Sequence, residues 1–161
     1  MLDSYVSFVK TESPEPIETI TINELIGEIV KTVEKNSVEL TVKEKNTIQT
    51  SGRQIQLKRA FNNIIDNSQR YAKKIEIILY TNEKDCVIEF NDDGEGIPRD
   101  KYEDVFKPFF TLDPSRNKLK GESGLGLTIT RDIIRSHGGD VKLSDSNLGG
   151  LQLKVLLPLW F

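Results

Sequence analysis

RQIQLKRAFNNIIDNSQRYAKKIEIILYTNEKDCVIEFNDDGEGIP, residues 53–98, reads as a helix, a hairpin and a glycine turn in one unbroken run. Leu57, Phe61, Ile64 and Ile65 recur at three- and four-residue spacing, which predicts a helix from about Arg53 to Tyr71 with one apolar face. Two β-rich runs follow, Lys74 to Thr81 and Cys86 to Asn91, joined by the turn-like Asn82-Glu83-Lys84-Asp85, and they read as a hairpin. Helices mixed with strands that return on themselves point to a two-layer α/β sandwich, not to a doubly wound parallel sheet.

Outward from this stretch the pattern continues. Ile22, Leu25, Ile26, Ile29, Val30 and Val33 fit an amphipathic helix, Val38, Leu40 and Val42 alternate as in a strand, and Ile48 belongs to another short one. A short helix is expected near Asp100 to Phe106, then an irregular polar stretch, 111–123, suited to a mobile loop. A last helix runs from about Gly124 to Ser136 and stops at His137-Gly138-Gly139, before two strands, Asp140 to Ser144 and Leu151 to Pro158, around Asn147-Leu-Gly-Gly150. At the other end, Leu2, Tyr5, Val6 and Val9 have helical spacing up to Ser13-Pro14, and residues 14–20 read as a proline-containing linker. The expected architecture is one α/β domain over 21–161, a mixed, mostly antiparallel sheet packed on about three helices.

With 161 residues, 37% hydrophobic and 29% charged, the chain has the size and composition of a single globular domain. A net charge of −3 with scattered Lys and Arg argues against a nucleic-acid binder. The one cysteine, Cys86, cannot form an internal disulfide, and its place in an alternating apolar run predicts strand packing in a reducing compartment. No apolar run reaches the roughly 20 residues of a membrane helix, so the chain is expected to be soluble and cytosolic.

Three segments carry candidate chemistry. On the 53–71 helix, residues four apart share a face, so Asn63, Asn67 and Tyr71 align, with Arg70 nearby. A carboxamide oxygen is a hard neutral donor suited to Mg²⁺, which takes few protein ligands alongside phosphate oxygens; a solvated helix surface is the plainer reading of such a pair. Asp92-Asp-Gly-Glu-Gly96-Ile-Pro98 ends an apolar strand, where glycines permit close ligand approach and a carboxylate can accept a bond from an amine. A plain surface turn is one rival reading. A calcium loop is the other, and it fails because Glu89 opens it, Asp100 closes it and a strand precedes it. Gly121, Gly124 and Gly126 lead into the Ile129, Ile133, Ile134 helix, whose free N–H groups suit phosphate. The P-loop and dinucleotide fingerprints are both incomplete here.

In order, the Asn63/Asn67 helix, the Asp92-x-Gly94-x-Gly96 turn, Phe106-Lys-Pro-Phe109 and Gly124-Leu-Gly-Leu127 resemble the N, G1, F and G2 boxes of sensor histidine kinases, within the GHKL ATPase superfamily. The resemblance covers about residues 20–160 and implies the Bergerat fold, with ATP and Mg²⁺ as cofactors. It implies Asn67 as the Mg²⁺ ligand and Asn63 as its companion. Asp92 would bond the adenine amino group, with Gly94, Gly96 and Ile97 in the turn beneath the base and Tyr71 packing near it. Arg70 would meet phosphate. The segment 111–123 corresponds to an ATP lid, similar to lids of osmosensor kinases, whose Arg116 approaches the phosphates. Phe109, Ser123, Gly124, Leu125, Gly126 and Leu127 complete the implied nucleotide contacts, and Asn63, Arg70 and Arg116 the implied catalytic set.

One part of the family pattern is missing. These kinases carry the phosphoacceptor histidine on a dimerising helical hairpin, whereas the lone His137 sits in Ser136-His-Gly-Gly139 and resembles a structural histidine. Residues 1–13 resemble the last turns of that hairpin. The resemblance therefore implies a monomeric catalytic fragment from the cytosolic side of a membrane receptor. Its partners would be the phosphoacceptor domain of the same kinase and, indirectly, a response regulator. Asp66 and Glu122 are expected to be solvated or capping groups. Two alternatives stay open: a nucleotide-gated interaction module docking through Phe109 and Phe110, and another GHKL ATPase of the topoisomerase, mismatch-repair, chaperone or anti-sigma serine kinase type.

Overall fold

The computed structural model describes residues 15–33, 38–42, 44, 46–110 and 125–159. Strand β1 (Glu18–Thr21) leads directly into helix α1 (Ile22–Lys31), which buries Ile22, Leu25, Ile26 and Ile29. The Asn23 carboxamide accepts the Ile48 N–H at 2.8 Å and the Ile22 N–H donates to the Ile48 carbonyl at 2.9 Å, which seats the helix start on the approach to β3 (Gln49–Gly52). The Thr32 hydroxyl donates to the Ile29 carbonyl and closes the last turn.

Strand β2 (Val38–Val42) comes between α1 and β3. Helix α2 (Gln54–Tyr71) buries Leu57, Ala60, Phe61, Ile64, Ile65 and Ser68, the face predicted from its spacing. Strands β4 (Ile75–Thr81) and β5 (Asp85–Asp92) form the expected hairpin, with Ile77 opposite Phe90. The Asn82 side chain caps its turn by accepting the N–H groups of Lys84 and Asp85. After helix α3 (Gly126–Ser136), β6 (Asp140–Asp145) and β7 (Leu151–Pro158) form a second hairpin.

The main sheet has the order β2-β4-β5-β7-β6, antiparallel throughout except for the parallel β2-β4 pair. Helices α2 and α3 pack against each other and reach the sheet, and one core cluster unites α1, α2, α3 and the strands. Within it the rings of Phe61 and Phe90 lie 6.1 Å apart. This is the two-layer mixed sandwich on three helices that the pattern predicts.

The structure corrects two local readings. The end of the 14–20 stretch read as linker belongs to a strand, Glu18–Thr21, paired antiparallel with Gln49–Gly52 in a small second sheet. Its only buried residue is Ile20, and its partner lies some thirty residues on, so no local alternation marks it. The short helix near 100–106 is instead two 3-10 turns, Arg99–Lys101 and Asp104–Phe106, because Pro98 and Pro108 leave too few residues for an α-helix. The helix read over 1–13 lies outside the described residues.

Candidate nucleotide site

Strand β5 delivers Asp92, only 7% exposed, to the end of the sheet. Its Oδ1 accepts two backbone N–H groups, from Gly94 at 3.0 Å and Leu151 at 3.0 Å, and its own carbonyl accepts the Gly150 N–H at 3.0 Å. The carboxylate is thus fixed through one oxygen. Among the described residues the other, Oδ2, carries no hydrogen bond, and a carboxylate fixed on one side and accessible on the other suits an N–H donor on a ligand.

Glycines make this arrangement possible. A Cβ on Gly150 would lie 2.1 Å from Asp92 Oδ1, and one on Gly94 would lie 2.7 Å from the Tyr71 carbonyl. Gly96 has φ +73°, a left-handed conformation that side chains disfavour. Gly150 and Leu151 escaped the sequence reading, where the only signal was a turn at Asn147-Leu-Gly-Gly150.

The second wall is α2. Asn63 and Asn67 are half-buried, one turn apart, and among the described residues neither carboxamide makes a hydrogen bond. Polar groups partly withdrawn from water and left open are suited to a ligand or hydrated ion. Arg70 and Tyr71 occupy the last turn, both half-buried. The close approach of the Tyr71 carbonyl to Gly94 joins this wall to the Asp92 turn. Among the described residues no three His, Cys, Asp or Glu side chains cluster as a metal cage, so a cation here would rely on few protein ligands.

Helix α3 begins at Gly126, where a Cβ would meet nothing within 4 Å among the described residues. Leu127 is half-buried against the core, as is Ile97. Leu125, just before the helix, is 0% exposed, so its side chain packs in the core. The Thr128 hydroxyl donates to the Phe106 carbonyl at 2.6 Å, and the Arg131 guanidinium lies 4.2 Å above the Phe106 ring. Phe109, with φ 63°, is 53% exposed. The expected lid 111–123, with Arg116, Gly121, Glu122 and Ser123, and Gly124 after it lie outside the described residues.

The two remaining reactive side chains have structural roles. His137 Nδ1 contacts the Ile133 carbonyl at 2.7 Å, and Nε2 accepts the Arg53 N–H at 3.0 Å, a pairing that needs the neutral Nδ1–H tautomer. Burial, reinforced by the Arg53 charge, holds its pKa below the ordinary value. Both ring nitrogens are committed. Cys86 is fully buried, and burial pushes its thiol up to about 12, which leaves it inert. Asp66 is exposed, as expected of a solvated group.

Residues 52–160 match the family described as histidine kinase-, DNA gyrase B- and HSP90-like ATPase. The chain belongs to this ATPase family. As a member, it is an ATP-binding domain. The sensor histidine kinase CpxA of Escherichia coli (strain K12) is 40% identical over 105 residues, 65% of this chain and 23% of CpxA. The sensor histidine kinase GtrS of Pseudomonas aeruginosa is 31% identical over 150 residues, 92% of this chain and 30% of GtrS. The chain thus spans less than a third of either relative. The structure of the mycobacterial sensor histidine kinase MprB superposes with a TM-score of 0.76 at 25% identity, over 89% of this chain and 98% of that one. No helix among the described residues is long and apolar enough to cross a membrane.

Proposed function

We propose that this chain is the catalytic ATP-binding domain of a two-component sensor histidine kinase. It would transfer the γ-phosphoryl group of ATP to a histidine held on a separate domain. The observation that carries the nucleotide part is Asp92, buried, fixed through Oδ1 and open at Oδ2 beside a glycine turn that tolerates no side chain. Histidine as the acceptor is supported by similarity to proteins named sensor histidine kinases.

In this reading Asp92 accepts the exocyclic amine of adenine, with Gly94, Gly96 and Ile97 beneath the base and Tyr71 beside it. Asn67 holds Mg²⁺ and Asn63 orients its hydration. Two open carboxamides one turn apart fit an ion that retains several waters. Arg70 and the start of α3 at Gly126 would meet phosphate, with Leu127 behind, and Phe109, Ser123, Gly124, Leu125 and Arg116 would complete the nucleotide contacts. Positioning and charge neutralisation are most of what phosphoryl transfer asks of a protein. The acceptor imidazole is itself the nucleophile, so no general base is required of this chain. His137 is not that acceptor, since both its nitrogens are engaged. The partners are then the dimerisation and phosphoacceptor domain of the same kinase and, through it, a response regulator. Residues 1–13 would continue from that domain, the parent would be a membrane receptor with this domain in the cytoplasm, and the chain alone would be monomeric.

Titration calorimetry with a non-hydrolysable ATP analogue and Mg²⁺ tests the pocket. Micromolar-to-millimolar binding is expected for the wild type and loss of more than tenfold for Asn67→Ala and Asp92→Ala, with circular dichroism unchanged. Supplying a helical-hairpin domain that bears an acceptor histidine tests the transfer. Acid-labile label on that domain supports histidine, whereas acid-stable label would assign a serine kinase instead.

A further inference from the structure

Immediately after Asp92, Asp93 reaches across to the connection that follows α2. Its Oδ1 accepts the N–H groups of both Lys73 and Lys74, each at 2.8 Å, while its own N–H donates to the Lys74 carbonyl at 3.2 Å. The β4-β5 ladder ends at the Ile75 and Asp92 pair, so these bonds carry the attachment beyond the sheet into the connection from α2. That connection is only Ala72 to Lys74, and Asn67 lies one turn before the end of α2 at Tyr71. On the other side, Gly94 is pressed so closely to the Tyr71 carbonyl that a Cβ would stand 2.7 Å from it. The exposed carboxylate therefore bridges the two elements that carry the two ends of the candidate site. Its pKa is lowered chiefly by the Lys74 and Lys73 backbone bonds, so the bridge is charge-assisted at neutral pH.

We propose that Asp93 is a positioning residue for nucleotide binding: by tying the Lys73-Lys74 backbone to the glycine turn, it sets the separation between Asn67 and Asp92. This rests on the ATP-binding reading above. A ligand held at both ends gains affinity from the second contact only if the spacing is already right, because otherwise the ordering cost falls on binding. Without the tie, the three-residue connection can relax to water-bonded conformations and the α2 end can drift from the turn. Contacts at either end then survive singly, but their cooperation is lost.

The test compares affinity for a non-hydrolysable ATP analogue in Mg²⁺ and in EDTA, for the wild type, Asp93→Ala and Asp93→Asn. The increment supplied by Mg²⁺ reports the Asn67 end, and the EDTA value reports the base end. We expect Asp93→Ala to lose about tenfold in Mg²⁺ but under threefold in EDTA, and Asp93→Asn, which keeps an acceptor oxygen, to recover to within threefold of wild type. Equal losses in both buffers, or no loss, would overturn the proposal. Should the alanine variant not fold, Asp93→Ser, able to accept one bond in place of two, is read by the same pair of titrations. A Mg²⁺ increment in it equal to that of the wild type overturns the proposal. A wild type that binds nucleotide in neither buffer would sink the ATP-binding reading itself, and Asp93 with it.

Discussion

Gly150 has no room for a side chain: a Cβ would stand 2.1 Å from Asp92 Oδ1 and 2.6 Å from both the Asp92 carbonyl and the Gly94 nitrogen. Those neighbours are backbone or a carboxylate already fixed by two bonds, so nothing can yield cheaply. Gly150→Ala is expected to cost roughly 1–3 kcal/mol of stability, as overpacking does. It should also weaken ATP-analogue binding by more than tenfold, since Asp92 must move; urea unfolding beside calorimetry checks both. Asn67→Ala should behave differently. Its carboxamide makes no bond among the described residues, so urea unfolding should shift by no more than about 0.5 kcal/mol even though binding is lost. At this scale the sequence was informative about residue type and poor about partners. Asp92 with Gly94 and Gly96 was legible from one turn, but nothing in Gly150 or Leu151 announced that their N–H groups orient that carboxylate.

Helix α2 has two tasks, and its spacing separates them. Phe61 is fully buried and packs on Phe90 of the sheet, so Phe61→Ala is expected to destabilise the chain by about 3–5 kcal/mol in denaturant unfolding. The polar face of the same helix holds the Asn pair. Its start is held by His137, whose Nε2 accepts the Arg53 N–H. Burial, with the Arg53 charge, lowers the folded-state pKa of His137, against the opposing pull of the Ile133 carbonyl and Glu15. Between that lowered value and the ordinary 6.5, the unfolded chain binds more protons than the folded one. Stability from this source is therefore full above about pH 7 and declines as pH falls through 6.5 toward the lowered value. Urea midpoints at pH 7.5 and 5.5 should differ in the wild type and differ less in His137→Gln. The depressed carboxyls of Asp93, Asp104 and Asp140 act in a separate, more acidic window, and their contribution is lost as pH falls below the ordinary carboxylate range.

Over the whole molecule, the described chain begins with a clasp. The Glu15 carboxylate accepts the N–H groups of Ile55 at 2.6 Å and Gln56 at 3.2 Å, in the first turn of α2, and the Glu15 carbonyl accepts Arg53 Nε at 3.1 Å. A carboxylate there also complements the helix dipole. Glu15→Ala should cost about 0.5–2 kcal/mol, the range of a lost N-cap, with ATP-analogue affinity within twofold of wild type. Loss of binding in that variant would mean that the clasp reaches the site through α2. What the sequence determined by itself was local: the amphipathic faces of α1, α2 and α3, the two hairpins, the glycine turn and the residue types of a nucleotide site, because periodicity and turn chemistry act over a few residues. What only the tertiary structure decided was pairing at a distance. It joined β1 to β3, set β2 parallel to β4 at the sheet edge, brought Leu151 to Asp92 across 59 residues, and seated His137 on Arg53 across 84. Such contacts depend on which surfaces meet once the core closes, and a backbone N–H carries no trace of its eventual partner in the sequence.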